Sequence, residues 1–200
     1  MNVVLDFRRY RERQFAPPLI FVDLQEEQPA SAEMPRSEQA TATISQCRRL
    51  LSHARAEGWP VAFTRLFRKG RAGANSRSPR WISGFEPRRT DMLFDREALS
   101  CYASTEFADA MDAAGGAFAL AGFSDDACLS TLIDAARHGH HVGLVSDALA
   151  SQPLPGFDPV ESHRAITALA SRYATVVTSE RWIEASGGDG GARDVFRAQG

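Results

Sequence analysis

The sequence has almost no lysine. Of its 23 Lys and Arg residues only Lys69 is a lysine, which leaves 22 arginines. Together with 25 Asp and Glu residues this gives a formal net charge of -2. A nucleic-acid-binding domain usually carries a clear basic excess, so the charge predicts no nucleic-acid partner. Lysine chemistry is excluded everywhere except at Lys69.

The sequence also lacks long apolar runs and is poor in cysteine. No stretch approaches the roughly 18 apolar residues of a membrane-spanning helix, so no membrane partner is expected. The first 15 residues carry four arginines and no apolar core, unlike a secretory signal. The three cysteines, Cys47, Cys101 and Cys128, are odd in number and widely spaced. This pattern favours reduced thiols and a cytoplasmic location.

What is present is an ordinary globular composition, with 44% hydrophobic and 24% charged residues in a chain of 200. Short apolar runs alternate with helical patterns, which predicts an α/β fold: a three-layer αβα sandwich around a six-stranded, mostly parallel sheet. We expect one domain at 17–182, an N-terminal arm at 1–16 and a flexible C-terminal tail at 183–200. The predicted strands are 19–22, 60–64, 92–94, 117–122, 142–145 and 174–177; the predicted helices are 37–57, 105–114, 126–138 and 161–172.

Three chemically capable residues follow predicted strands. Asp23 ends the first, Arg96 follows the third, and Cys128 lies shortly after the fourth. Because ligands bind beyond the carboxyl ends of such strands, we expect these side chains to meet. Each also has a structural interpretation: Asp23 as the cap of a turn, Arg96 as a surface arginine and Cys128 as a buried core residue.

The position of Cys128 suggests a reactive thiol. It falls near the first turn of a predicted helix, where free backbone N–H groups and the helix dipole favour a thiolate. The same N–H groups could bind an oxyanion. Asp23 could take a proton from the thiol or from water, and Arg96 could stabilise a thiolate or bind a substrate carboxylate.

The order of the motifs resembles the isochorismatase-like cysteine hydrolases over about residues 18–180. The resemblance rests on Val22-Asp23-Leu24-Gln25, Pro60-Val61-Ala62-Phe63-Thr64-Arg65, Gly122-x5-Cys128-Leu129-x-Thr131, Ser146-Asp147-Ala148 and His163-Arg164. It implies a triad of aspartate, lysine and cysteine that hydrolyses amides and related C–N bonds. Cys128 would be the nucleophile and Asp23 the general base, acting on a small-molecule substrate in a homo-oligomer, a dimer or a tetramer.

The resemblance also implies a cis peptide bond between Phe123 and Ser124. That bond would aim the Ser124 N–H, together with the Cys128 N–H, at the developing oxyanion. The remaining assignments place Gln25, Trp81, Tyr102 and Phe123 in substrate binding, although Trp81 and Tyr102 could equally be packing residues. The long 66–90 excursion is expected to shape the pocket.

One position departs from the family pattern. Arg96 stands where the family has its lysine, and Ser100-Cys101-Tyr102 replaces a Ser-Ala-Phe triplet. Arginine supplies charge but does not exchange protons at neutral pH. The prediction is therefore a cysteine hydrolase that cleaves a small amide or ureido C–N bond. A catalytically inactive binding or partner protein is the alternative. Vinyl-ether hydrolysis of isochorismate is disfavoured, because the true isochorismatases to which the sequence can be compared lack the cysteine.

No metal and no cofactor are expected. Metal-binding relatives hold the ion with histidines after the second strand, and residues 64–90 contain none. The group His138, His140 and His141 lies between a helix end and the next strand, on the edge opposite the expected site. A helix C-terminus that favours cations explains it more simply than a metal does.

Overall fold

The computed structural model describes residues 17–26, 38–66, 80–151 and 153–186. The predicted N-terminal arm, most of the 66–90 excursion and the last 14 residues of the tail lie outside the described residues. The strands are β1 (Leu19–Val22), β2 (Val61–Leu66), β3 (Met92–Arg96), β4 (Ala117–Gly122), β5 (His141–Leu149) and β6 (Thr175–Val177). The helices are α1 (Glu38–Ala56), α2 (Thr105–Ala113), α3 (Asp125–Arg137), α4 (Pro159–Ala170) and α5 (Ser179–Ser186), with a 3-10 turn at Cys101–Ala103.

The six strands form one sheet in the order β3-β2-β1-β4-β5-β6. Every neighbouring pair is parallel, so the predicted α/β fold is confirmed. The strand order runs outward from β1 in one direction and from β4 in the other. The switch between the two directions therefore lies between β1 and β4, and the crevice beyond the carboxyl ends of these strands is where such sheets bind ligands.

Helices cover both faces of the sheet, as the three-layer prediction requires. On one face α2, α3 and α4 enclose a core that includes Phe107, Cys128 and Leu132. On the other face α1 and α5 enclose a core that includes Phe21, Leu50 and Trp182. The apolar runs of the central strands are buried on both sides, which is typical of parallel sheets.

Gly122 lets β1 and β4 end side by side. Its φ is +140°, and a Cβ at this position would lie 2.1 Å from the carbonyl oxygen of Val22. Only glycine tolerates this approach and this backbone conformation. The N–H of Phe123 then donates to the same Val22 carbonyl at 2.9 Å. The chain after β4 is therefore held directly against the residue that precedes Asp23.

The last helix of the structure crosses the predicted C-terminal boundary of the domain at 182, and that boundary stays a prediction. Helix α5 continues through 182 to Ser186, with Trp182 buried and Ile183 packed against the core. The Trp182 ring lies edge-to-face with Trp59 at 5.0 Å. With only two adjacent apolar residues, this short helix offers no period long enough to recognise in sequence.

Candidate active site

Asp23 lies at the carboxyl end of β1 in a constrained conformation. Its N–H donates to the Thr64 carbonyl of β2 at 3.1 Å, and its Oδ1 accepts from the N–H of Leu66 at 3.1 Å. Among the described residues, Asp23 is the only non-glycine residue with a positive φ, +53°. Such backbone strain, which the surrounding contacts must enforce, is characteristic of functional sites.

Arg96 reaches Asp23 from two strands away. It ends β3, in register with Leu66, and its Nη2 donates to the second carboxylate oxygen of Asp23. Its Nη1 donates to the carbonyls of Ala98 and Leu99, both at 2.7 Å. The side chains of Arg96 and Asp23 are 0% and 2% exposed, so Arg96 is not a surface arginine.

The environment makes Asp23 more basic than an exposed aspartate. Burial raises the pKa of this carboxyl, while the charge and hydrogen bond of Arg96 and the N–H of Leu66 oppose the rise. Burial is the largest of these effects. The remaining donor of Arg96, Nε, is buried and has no hydrogen-bond partner within the described segments. The pair is thus held rigidly, but its hydrogen-bonding capacity is not exhausted.

Cys128 lies on α3 beside this pair and is only 1% exposed. Burial raises the pKa of its thiol, and the nearby Cys101, Asp23 and Asp125 raise it further, whereas Arg96 lowers it. The expectation that the helix start would favour a thiolate is therefore wrong for the resting protein. Desolvation is the largest cause of the raised pKa, since a charge in an apolar environment is costly.

The predicted oxyanion site is not present in the expected form. Ser124 caps α3, which begins at Asp125, so Cys128 is the fourth helical residue. Its N–H donates to the Ser124 carbonyl at 2.9 Å and is not among the unsatisfied N–H groups that begin a helix. No described peptide bond is cis, so the expectation of a cis bond between Phe123 and Ser124 is wrong.

Cys101 is a residue of the site that the sequence only hinted at. Its Sγ donates to the Thr64 hydroxyl at 3.7 Å, and its N–H donates to the Thr131 hydroxyl, one turn after Cys128, at 2.9 Å. Burial raises the pKa of the Cys101 thiol, which Arg96 and the two threonines counteract. The only sequence signal was its position five residues after Arg96.

The four expected substrate-binding residues separate into two pairs. Gln25 is fully buried and forms an antiparallel bridge with Trp81, whose ring lies edge-to-face with Phe63 at 5.5 Å. Gln25 lies two residues after Asp23 in the sequence, and the bridge brings Trp81 beside Gln25. The role of both residues in binding stays a prediction.

The rings of Tyr102 and Phe123 pack away from Asp23 and Cys128, and the predicted role of these two residues in substrate binding stays a prediction. The Tyr102 hydroxyl hydrogen-bonds to Nδ1 of His140 at 2.6 Å, and its ring stacks on His138 at 4.6 Å, at the far end of α3. Phe123 is 2% exposed and packs in the core on the face opposite Cys128. Both residues adjoin site residues in the sequence, but their rings point elsewhere.

The histidine group near β5 is held by ordinary contacts. His140 hydrogen-bonds to Tyr102 and, through Nε2, to Asp112 at 2.7 Å, while His138 stacks on Tyr102. In the ranges that the structure covers, no three His, Cys, Asp or Glu side chains are grouped as metal ligands would be. No helix there is long and apolar enough to cross a bilayer.

An all-parallel αβα sheet with a buried aspartate, a cation and a cysteine at its switch point defines the class of isochorismatase-like hydrolases. The chain belongs to the Isochorismatase domain family, whose model matches residues 17–181. No protein of curated function matches the chain in sequence.

Solved structures share the fold at low identity. A cysteine hydrolase from Pseudomonas syringae pv. phaseolicola 1448A is 18% identical, with a TM-score of 0.74 over 91% of this chain and 94% of its own. An isochorismatase from Pseudomonas putida KT2440 is 22% identical, with a TM-score of 0.70 over 90% and 99%. The N-carbamoylsarcosine amidase from Thermoplasma acidophilum is 22% identical, with a TM-score of 0.62 over 82% and 97%.

Proposed function

We propose that this protein is a cysteine hydrolase that cleaves a small amide- or ureido-type C–N bond through an acyl-enzyme on Cys128. The observation that carries the proposal is the buried Asp23–Arg96 pair beside a buried thiol. The structures of similar fold that are called cysteine hydrolase and N-carbamoylsarcosine amidase support the same reaction class.

The roles follow from which groups exchange protons. Arg96 stays protonated, so Asp23 is the acid–base group of the pair, and its raised pKa suits it to accept a proton from a thiol of raised pKa. Proton transfer from Cys128 to Asp23 moves one negative charge from the carboxylate to the sulfur. Because the proton moves within the site, the net charge of the site does not change. Arg96 stays positively charged throughout and offsets the negative charge on either group.

In the first half-reaction the Cys128 thiolate attacks the substrate carbonyl carbon and forms a C–S bond. The C–N bond then breaks, and the leaving nitrogen takes the proton that Asp23 holds. In the second half-reaction a water molecule gives a proton to Asp23 and attacks the thioester. The C–S bond breaks, the acid is released, and Cys128 recovers its proton.

The donor for the oxyanion remains part of the proposal. The Cys128 N–H is committed to the Ser124 carbonyl, which leaves the N–H of Ser124, at the capping position, as the backbone candidate. Gln25 and Trp81 are proposed to contact the substrate, since both lie immediately beyond Asp23. The homo-oligomeric state and the cytoplasmic location stay predictions.

The binding-module alternative rests on Arg96, which replaces a proton-exchanging lysine. A panel of small amides, ureides and carbamoyl amino acids, assayed by ammonia or amine release, separates the two functions. We expect turnover of at least one ureide or amide, lost in Cys128→Ala and retained in Cys47→Ala, a matched buried thiol on α1. Loss of the nucleophile should reduce kcat by roughly 10⁴-fold or more. No turnover over the panel, with an unreactive Cys128, would favour the binding module.

A further inference from the structure

A cleft lies on the face of the sheet that α1 covers, whereas Cys128 packs on the other face. It has a volume of about 380 Å³ and lies between the second half of α1 and the segment that precedes β3. Its lining, which we call the arginine cleft, comprises Arg48, Leu51, Ser52, Arg55, Ala56, Gly84 and Arg88. None of these residues belongs to the candidate active site.

Three arginines are among the residues that line this cleft. Arg48 and Arg55 are seven residues apart on α1, with Ser52 between them, so all three lie on one face of the helix. Arg88 faces them from the segment before β3 and is exposed. Two walls of the cleft thus supply cations, and Ser52 contributes a hydroxyl.

Local contacts position these arginines but leave one buried N–H donor, Nε of Arg55, without an acceptor among the described residues. Arg48 donates to the Ser83 carbonyl at 3.1 Å and lies over the Phe85 ring at 5.7 Å. Arg55 donates through Nη2 to Asp91 at 2.6 Å. Its Nε is buried and finds no acceptor within the described part of the chain. A buried donor without an acceptor is costly, so contacts within the protein do not fully satisfy the guanidinium of Arg55.

The acidic groups around the cleft do not neutralise it. Asp91 is shared between Arg55 and the N–H of Arg88, and Glu86 accepts from the N–H of Gly84 at 3.0 Å. Three cations thus face two carboxylates. The C-terminal dipole of α1 favours cations in its last turn, which explains the presence of Arg55 there but not its unpaired Nε.

We propose that the arginine cleft binds a small phosphate-bearing anion. The planar fork of a guanidinium matches phosphate oxygens in bidentate geometry. The volume exceeds that of a single phosphate and lies in the range of small-molecule sites, roughly 300–1,000 Å³. The ligand class is therefore a small organic phosphate or a polyphosphate. Because Arg88 is exposed, the affinity of the arginine cleft for the anion should fall as the ionic strength rises.

Calorimetric titration of the full chain with inorganic pyrophosphate tests the site, with citrate as a carboxylate of comparable charge at matched ionic strength. We expect saturable pyrophosphate binding, weakened about tenfold or more by Arg88→Glu, since the variant turns a cation into an anion. Arg89→Glu makes the same charge change at the neighbouring residue, outside the lining, and should weaken binding less than about threefold. Arg55→Lys keeps the charge but removes the planar guanidinium fork and should also weaken binding.

Three outcomes would overturn the proposal: no binding at millimolar pyrophosphate, equal losses in Arg88→Glu and Arg89→Glu, or citrate binding as tight as pyrophosphate. Cys128→Ala should bind pyrophosphate as the parent chain does, so the result is independent of the proposed hydrolase activity.

Discussion

The carboxyl edge and the amino edge of the sheet both hold polar side chains, but these side chains differ in their exposure and in their hydrogen bonding. At the carboxyl edge the side chains of Asp23 and Arg96 are nearly inaccessible to solvent. Asp23 has a positive φ, and Nε of Arg96 has no hydrogen-bond acceptor among the described residues. At the amino edge Tyr102, His140 and Asp112 form a chain of hydrogen bonds. Asp112 there is 62% exposed, so that chain ends in solvent.

This difference in exposure and hydrogen bonding distinguishes the candidate active site from a network of polar side chains that stabilises the fold. The amino-edge groups satisfy one another, and none of their side-chain atoms is a buried group without a partner. The carboxyl edge keeps a charge pair, two thiols and backbone strain in a position where each is costly. Such costs persist where the arrangement is used, which makes the carboxyl edge the place to look for chemistry.

Removal of the Asp23 charge should have the largest effect. Asp23→Asn leaves the buried Arg96 without its counter-ion and should lower the free energy of unfolding by about 3–5 kcal/mol. Asp112→Asn removes the exposed acid of the amino-edge chain and should cost less than about 1 kcal/mol. Urea denaturation of both variants measures the contrast.

A paired variant controls for this prediction. Asp23→Asn combined with Arg96→Met removes the whole ion pair and should regain part of the lost stability, while hydrolysis stays absent. If Asp23→Asn costs no more than Asp112→Asn, the claim that the carboxyl edge holds a costly buried pair is wrong.

Arg96 should set how readily Cys128 ionises. Its charge lowers the pKa of a thiol that burial raises, so Arg96→Met should raise that pKa further and slow alkylation at mildly alkaline pH about tenfold. Arg96→Lys should keep most of the effect. Ultraviolet thiolate absorbance and iodoacetamide rates, followed against pH, report the change.

The pH dependence has a defined sign. Because the thiol pKa is raised, the thiolate fraction is small at neutral pH, and alkylation of Cys128 should keep increasing through the alkaline range. Arg65→Met, which removes a partly exposed arginine paired with Asp95, should leave the profile unchanged. An Arg96→Met profile identical to that of the parent chain would remove Arg96 from the site.

Cys101 should have a smaller effect in the opposite direction, because burial raises the pKa of its own thiol and keeps it neutral until the pH is alkaline. As a second ionisable thiol it raises the pKa of Cys128, so Cys101→Ala should shift the Cys128 alkylation profile to lower pH by less than about one unit. Cys47→Ala should shift nothing, because Cys47 lies on the other face of the sheet. A shift to higher pH, or equal shifts in both variants, would contradict an electrostatic interaction between the Cys101 and Cys128 thiols.

The sequence predicts which residues lie at the carboxyl ends of the strands, but it does not predict the direction in which the neighbouring side chains point. Asp23, Arg96 and Cys128 were found because the carboxyl ends of parallel strands share one edge. The directions of the Tyr102 and Phe123 rings could not be predicted, because the sequence neighbour of a site residue can face another core. The thiol of Cys128 was expected to be acidic because the helix start is visible in sequence, whereas the degree of burial that overrides it is not.

The hydroxyl of Tyr102 should matter least, and only for stability. Tyr102→Phe removes the hydrogen bond to His140 and should cost about 1 kcal/mol of unfolding free energy, with Tyr173→Phe, an exposed tyrosine, as the matched control. Burial raises the pKa of Tyr102, so this contribution is present at neutral pH and is lost only as the pH rises above the ordinary tyrosine range, near about 10. The Cys128 alkylation profile should not change, because Tyr102 points away from the thiol toward His138 and His140. A shifted profile in Tyr102→Phe would show that the two edges are coupled through the Cys101–Ala103 turn, and the separation of site from structural network would then fail.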